Sequence, residues 1–297
     1  LSDIPGFQTK AEIKTLLDGH AAAPRKRYGQ CFLIDRNLME RVLATAEVSS
    51  RDWVLEVGCG TGSLTGELLR RAGRVVGVEI DKALQVILAD RYGQVDHFSL
   101  LAEDVLAKKS ALAPSVIDAM AVARAAVDGR GMLVANLPYD VATSLLIELL
   151  LGDFGIERFV FTVQLEMAER LRAAANTDAY GAVSVIAQSM ARVAIVAKLP
   201  PQAFWPAPKV QSAIVKMERV SRDKLPIDDP RGFAKFVRTV FQSRRKGLLG
   251  TLKRMGQAGS VDFSGNLEEL LTEMDISPQI RPEAVSLETW WRLMRQM

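Results

Sequence analysis

One stretch constrains this chain more than any other. Val54-Leu55-Glu56-Val57-Gly58-Cys59-Gly60-Thr61-Gly62 closes an apolar strand and opens a helix. Glycines at alternate positions remove side chains where the backbone must turn sharply and approach a ligand. The helix that follows offers unpaired N–H groups at its N-terminus to a polar ligand. Around this loop, apolar strands at Trp53–Val57, Arg74–Glu79, Asp96–Leu101, Met132–Ala135 and Phe159–Gln164 alternate with helical patterns. Those patterns cover Asp35–Glu47, Ser63–Ala72, Lys82–Arg91 and Thr143–Leu151. Such alternation predicts an α/β fold whose mostly parallel sheet is covered on both faces.

The rest of the chain is less regular. Residues 1–24 are mixed and expected to be peripheral. Between Asp104 and Asn136 lies a long connection, and its Ala-rich stretch Val116–Val127 has helical spacing and reads as an extra helix without an assignable role. A helix is predicted over Ala182–Met190, and Val193–Leu199 with Ser212–Met217 as a strand pair closing the sheet edge. Past Val220, Pro226 and Pro230 bracket an Asp-rich turn, and helical patterns follow at Gly232–Phe241, Gly247–Arg254, Leu267–Met274 and Ser286–Met294. The expected division is 1–220 and 221–297, the second part small and all-helical.

Composition excludes several classes. With 48% hydrophobic and 25% charged residues, the chain can bury an ordinary core. No apolar run is long enough to span a bilayer, Leu145–Leu151 being interrupted by Glu148, and no signal-peptide order opens the chain, so a cytoplasmic protein is expected. Cys31 and Cys59 are too few for a disulfide framework or a zinc site, and His20 and His97 lack metal-type partners. No protein-held metal is expected, and a monomer is the default.

Acids stand at the next two strand ends. Val76-Gly77-Val78-Glu79-Ile80-Asp81 puts Glu79, with Ile80 beside it, where a carboxylate can bind both hydroxyls of a ribose. Ala102-Glu103-Asp104-Val105 puts Asp104, next to Glu103, where it can accept from an adenine amino group. Gly58-x-Gly60-x-Gly62 is not the G-x-G-x-x-G of dinucleotide sites. With Glu56 ahead of it, the loop suits S-adenosylmethionine better.

Asn136-Leu137-Pro138-Tyr139 follows the fourth strand. An adenine N6 lone pair is delocalised into the ring and is a poor nucleophile. An Asn side-chain oxygen and the Leu137 carbonyl, each accepting one N6–H, favour a pyramidal nitrogen aimed at a methyl donor. Pro138 fixes the backbone for that carbonyl, and Tyr139 offers a face for base stacking. Asn136 is thus expected to serve both base and cofactor. A sulfonium donor asks for in-line placement more than for a strong base, in keeping with the scarcity of histidine.

With these residues in hand, the chain resembles the ribosomal-RNA adenine dimethyltransferase family (the KsgA type), from about residue 25 to 295. Gly29, Gln30, Phe32 and Leu33 match the family's G-Q-N-F-L motif, with Cys31 in place of the usual Asn. Glu56, Gly58, Gly60 and Gly62 match E-x-G-x-G-x-G. Gln164, Glu166, Ala168 and Arg170 match Q-x-E-x-A-x-R, followed by Tyr180-Gly181. Phe204-Trp205-Pro206-Ala207-Pro208-Lys209-Val210 is similar to F-x-P-x-P-K-V, whose Phe is expected to clamp a flipped adenine opposite Tyr139; two prolines would stiffen a loop of exposed aromatics beside Lys209. Phe241 to Lys246 is similar to F-x-x-R-R-K.

The resemblance implies a class I S-adenosylmethionine-dependent methyltransferase, Rossmann-like, with a helical C-terminal domain. It implies dimethylation of two adjacent adenosines near the 3′ end of 16S RNA during small-subunit maturation, with the small ribosomal subunit and its rRNA as partners. In this reading Gln30 and Leu33 contact the cofactor. Lys235, Arg238, Arg244, Arg245, Lys246, Lys253 and Arg254 form a basic stripe without an intervening acid, suited to RNA phosphates. Arg25-Lys26-Arg27 reads as solvated. Competing readings are a 23S adenine methyltransferase of the resistance type, a non-catalytic assembly or transcription factor on the same fold, and, more weakly, a DNA adenine methyltransferase.

Overall fold

The computed structural model describes residues 4–257 and 266–296. Its elements run α1 (Lys10–Gly19), β1 (Phe32–Leu33), α2 (Arg36–Ala46), β2 (Trp53–Val57), α3 (Ser63–Leu69), β3 (Arg74–Val78), α4 (Lys82–Tyr92) and β4 (Phe98–Leu101). Next come β5 (Leu106–Lys108), β6 (Ala111–Leu112), α5 (Pro114–Ala125), β7 (Gly131–Asn136), α6 (Tyr139–Leu151), β8 (Ile156–Gln164) and α7 (Leu165–Leu171). The chain ends with α8 (Ala182–Met190), β9 (Ala191–Leu199), β10 (Phe204–Trp205), β11 (Ser212–Arg219), α9 (Pro230–Phe241), α10 (Leu248–Gln257), α11 (Leu267–Glu273) and α12 (Leu287–Met294). Two compact units result, Leu1–Ala168 with Val193–Arg219, and Glu169–Arg192 with Val220–Met297.

The first unit holds a seven-stranded sheet of order β4-β3-β2-β7-β8-β11-β9. β4, β3, β2, β7 and β8 run parallel, and β11 joins β8 antiparallel with Ser212 opposite Gln164. Trp53, Val54 and Leu55 on β2 and Met132 to Ala135 on β7 are fully buried, because helices cover both faces. From β2 the chain proceeds through β3 to β4 on one side and then returns through β7 to β8 on the other. The reversal opens a crevice beyond the carboxyl ends of β2 and β7, where open α/β sheets place ligands. The glycine loop and Asn136 both lie there.

The Ala-rich connection has a packing role. α5 begins at Pro114, lies against β2, β3 and β4, and buries Val116, Met120 and Ala123. It is one of the helices that cover the sheet. Ahead of it, β5 and β6 form a short hairpin that the strand pattern does not show.

The expectation of a peripheral N-terminus is corrected. Thr9 and Glu12 form a capping box for α1, whose Ile13 and Leu17 pack with Phe32, Leu84 and Ile87. Upstream, Gln8 Oε1 accepts from the hydroxyls of Thr61 (2.7 Å) and Ser63 (2.8 Å), and the Tyr92 hydroxyl donates to the Pro5 carbonyl (2.8 Å). The opening segment is therefore laced to the glycine loop and α3.

The second unit is helical. It takes in Glu169–Arg192 as well, earlier than the boundary expected at 220, because α8 packs on α9 and α12. Its core gathers Tyr180, which donates to the Val285 carbonyl (2.9 Å), Phe241 and Trp290, with Phe241 stacked on Trp290 at 5.6 Å. Two of the sequence motifs, Tyr180-Gly181 and the one opening at Phe241, thus supply core aromatics. Trp290 is fully buried, and Trp290→Phe is expected to cost roughly 1–2 kcal/mol in denaturant unfolding of this unit.

Candidate active site

The three loop glycines adopt positive φ, +77° at Gly58, +63° at Gly60 and +89° at Gly62, which side chains rarely tolerate. They also lie against neighbours. A Cβ on Gly58 would meet Pro138 at 3.0 Å, and one on Gly60 would meet the Phe32 ring at 3.1 Å. A Cβ on Gly62 would overlap Tyr92 at 2.5 Å, so Gly62→Ala is expected to cost roughly 1–3 kcal/mol of stability, read by chemical denaturation.

A cavity of about 680 Å³ opens beyond the sheet's carboxyl edge. Of the residues predicted for the cofactor, Gln30, Gly58, Gly60, Glu79, Ile80, Glu103, Asp104 and Asn136 line it. Leu137, Pro138 and Tyr139 line it too, which brings cofactor and base candidates into one space. Glu56 and Leu33 line a smaller adjoining cavity of about 40 Å³ beside Thr162, and Gly62 lines neither, serving the turn itself.

Glu79, only 4% exposed, accepts from the Gly60 and Asp81 backbone N–H groups, both at 2.9 Å. Burial raises its pKa more than these donors lower it. Glu56 is 1% exposed, and its Oε2 has no hydrogen-bond partner. Desolvation pushes its pKa from an ordinary 4.5 up to about 8. Glu103 accepts from the Ser115 hydroxyl, and Asp104 accepts from the Leu106 N–H at 2.9 Å.

Asn136 ends β7 with its amide held at both ends. Its Nδ2 donates to the Cys31 carbonyl at 2.8 Å, and its Oδ1 accepts from the Thr162 hydroxyl. The contact at position 31 is made by the backbone, so a cysteine there leaves it intact. Tyr139 is half-buried, and its hydroxyl is hydrogen-bonded to that of Ser212 at 2.8 Å, which ties its ring to β11. Burial raises the Tyr139 pKa.

Phe204 departs from expectation. It is 2% exposed, pairs with Leu33 in the β1–β10 ribbon and packs into the core with Met39 and Ile214. It is not an exposed aromatic, and it lines neither cavity. Its neighbour Trp205 is half-buried and stacks on Phe32. Lys209 is exposed. Arg244, Arg245 and Lys246 are exposed in the turn between α9 and α10, where Arg244 pairs with Glu283 at 3.6 Å.

Three contributors escaped the sequence reading. Thr162 orients Asn136. Asp81, 1% exposed, accepts from Gln30 Nε2 (2.9 Å) and pairs with Arg25 (3.1 Å), so Arg25 is not simply solvated. Gln8 supports the loop from the N-terminal segment. Only Asp81 carried a signal, as an acid heading a helical pattern.

Among the described residues no helix is long and apolar enough to cross a membrane, and no cluster of His, Cys, Asp and Glu could hold a metal ion. The fold is similar to that of a dimethyladenosine transferase from Plasmodium falciparum, with a TM-score of 0.70, 22% identity and coverage of 88% of this chain and 95% of that one. It is similar also to the 23S rRNA methyltransferase ErmE, with a TM-score of 0.62, 24% identity and coverage of 89% and 98%. These likenesses show the Rossmann-like α/β fold. A ribosomal RNA small subunit methyltransferase A from Magnetococcus marinus is 38% identical over 241 residues, 81% of this chain and 83% of the relative. Another from Lactococcus lactis is 36% identical over 269 residues, covering 91% and 88%. The model of the family described as Ribosomal RNA adenine dimethylase matches residues 21–285, and the chain belongs to that family.

Proposed function

We propose that this protein transfers methyl groups from S-adenosylmethionine to N6 of two adjacent adenosines near the 3′ end of small-subunit rRNA, giving N6,N6-dimethyladenosine. The observation that carries this reading is the meeting of Asn136, Pro138 and Tyr139 with Glu79 and the glycine loop in one cavity. The relatives named as small-subunit methyltransferases favour that subunit over the large one.

The residues present fit the cofactor. The positive φ of Gly58 and Gly60 turns their backbone along the cavity wall, Glu79 suits ribose hydroxyls, and the unpartnered Glu56 Oε2 suits a cationic group. When bound, S-adenosylmethionine supplies a methyl group already activated as a sulfonium. Asn136 Oδ1, with one lone pair engaged by Thr162, keeps a second for an adenine N6–H. The Leu137 carbonyl accepts the other N6–H, and the Tyr139 ring supports the base. Exposed Arg245, Lys246 and Lys209 hold RNA phosphates.

The test is methyl transfer from labelled S-adenosylmethionine to small subunits lacking the modification, with large subunits and duplex DNA in parallel and nucleosides identified after digestion. Dimethyladenosine from small subunits alone is expected. Label confined to large subunits would move the assignment to the resistance type.

A further inference from the structure

We propose that the β5–β6 hairpin is an RNA-contacting rim of the active-site cavity, with Lys108 and Lys109 gripping backbone phosphates beside the target adenosine. This rests on the substrate reading above. The hairpin has a firm base. Val105 and Leu112 are buried, Leu106 and Lys108 pair with Leu112 and Ala111, and the Ala113 N–H donates to the Val105 carbonyl at 2.9 Å. Its tip is the opposite in character. Lys108 and Lys109 are exposed, line the cavity, and have no ionic or hydrogen-bonding side-chain partner among the described residues.

Charge explains why such a rim is needed. The cavity wall carries Glu79, Glu103, Asp104 and Asp140, a field that suits a cationic donor but repels an approaching phosphodiester. Cations at the mouth offset that repulsion. Arg27, which also lines the cavity, lies over the Tyr28 ring at 4.6 Å and supplies a further cation from the N-terminal motif. A strand whose flipped base enters the cavity leaves its phosphates outside, within the field of these side chains. A long flexible lysine on a short anchored hairpin suits contact with phosphate rather than base edges, so the grip is indifferent to sequence.

The experiment compares the parent protein with Lys108→Ala/Lys109→Ala and Lys108→Arg/Lys109→Arg in methylation of small subunits across a KCl series. Affinity for S-adenosylhomocysteine is measured by calorimetry alongside. Loss of two phosphate contacts is expected to lower kcat/KM roughly tenfold near 0.1 M salt and to make its logarithmic salt dependence shallower by about 1 to 2. The Arg pair should retain activity and slope, and cofactor affinity should be unchanged in both variants. An unchanged slope in the Ala pair would overturn the proposal. So would a fall in cofactor affinity large enough to explain the rate, which would make the lysines cofactor ligands. Were the parent inactive on small subunits, the substrate reading would fail by itself. Retention of a labelled single-stranded oligoribonucleotide over the same salt series would then decide the rim, with the same slope change expected and its absence fatal.

Discussion

Asn136→Ala is expected to lower turnover by about 10²- to 10³-fold, the usual cost of deleting one pre-organised polar group from a reacting centre. Cofactor affinity should stay within about threefold of the parent, because the glycine loop and Glu79 remain in place. Glu79→Ala should do the reverse. Losing a carboxylate that accepts two hydrogen bonds weakens cofactor binding about 10- to 100-fold, with turnover largely recovered at saturating cofactor. Thr162→Val keeps Asn136 but removes the donor to its Oδ1, and a fall of about tenfold is expected from a mis-set amide. Single-turnover rates and calorimetric titration with S-adenosylhomocysteine separate the two effects. Equal loss of cofactor affinity in Asn136→Ala and Glu79→Ala would contradict the roles assigned.

The second large effect concerns Glu56. Its carboxyl, raised by burial to about 8, stays protonated in the folded, cofactor-free protein while the unfolded chain ionises near 4.5. Between those values the folded state binds more protons, so stability falls as pH rises. The contribution is fully present below the unfolded pKa and lost as pH rises through the folded one. At about 1.4 kcal/mol per pKa unit the full window from 4.5 to about 8 is on the order of 5 kcal/mol. Glu56→Gln should remove this slope and melt higher than the parent at pH 9, the gap closing towards pH 5. If the ionised carboxylate meets a cationic group of the cofactor, binding near neutral pH releases a proton. Calorimetry in buffers of different ionisation heat reads that release, and Glu56→Gln should abolish it. An equal release from the variant would assign the proton elsewhere.

Much of the first unit was legible because its signals are local. An apolar run ending in alternate glycines specifies β2, a turn and α3 within a few residues, and Asn136 stands at the end of another such run. What escaped depends on distant pairing. β1 and β10 are two residues long, so no periodicity marks them, and only their mutual register sends Phe204 inward. Thr162 sits on β8, and its meaning arises from the parallel pairing that sets it opposite Asn136. α1 shows Ile13 and Leu17 at helical spacing, but a single short turn pair is easily lost among polar neighbours. The second unit's early boundary follows from how α8 packs, which composition does not report.

One anchor of the Asn136 amide has a kinetic consequence. The carbonyl that holds its Nδ2 belongs to Cys31, beside Gln30 and Phe32 on the segment lying against the glycine loop. Any excursion of that segment to admit or release the cofactor takes the anchor with it. The amide is then free to swivel, and a base arriving early finds no fixed acceptor for its amino group. Were the segment to move in this way, binding would run cofactor first and adenosine second, an order that product-inhibition patterns read.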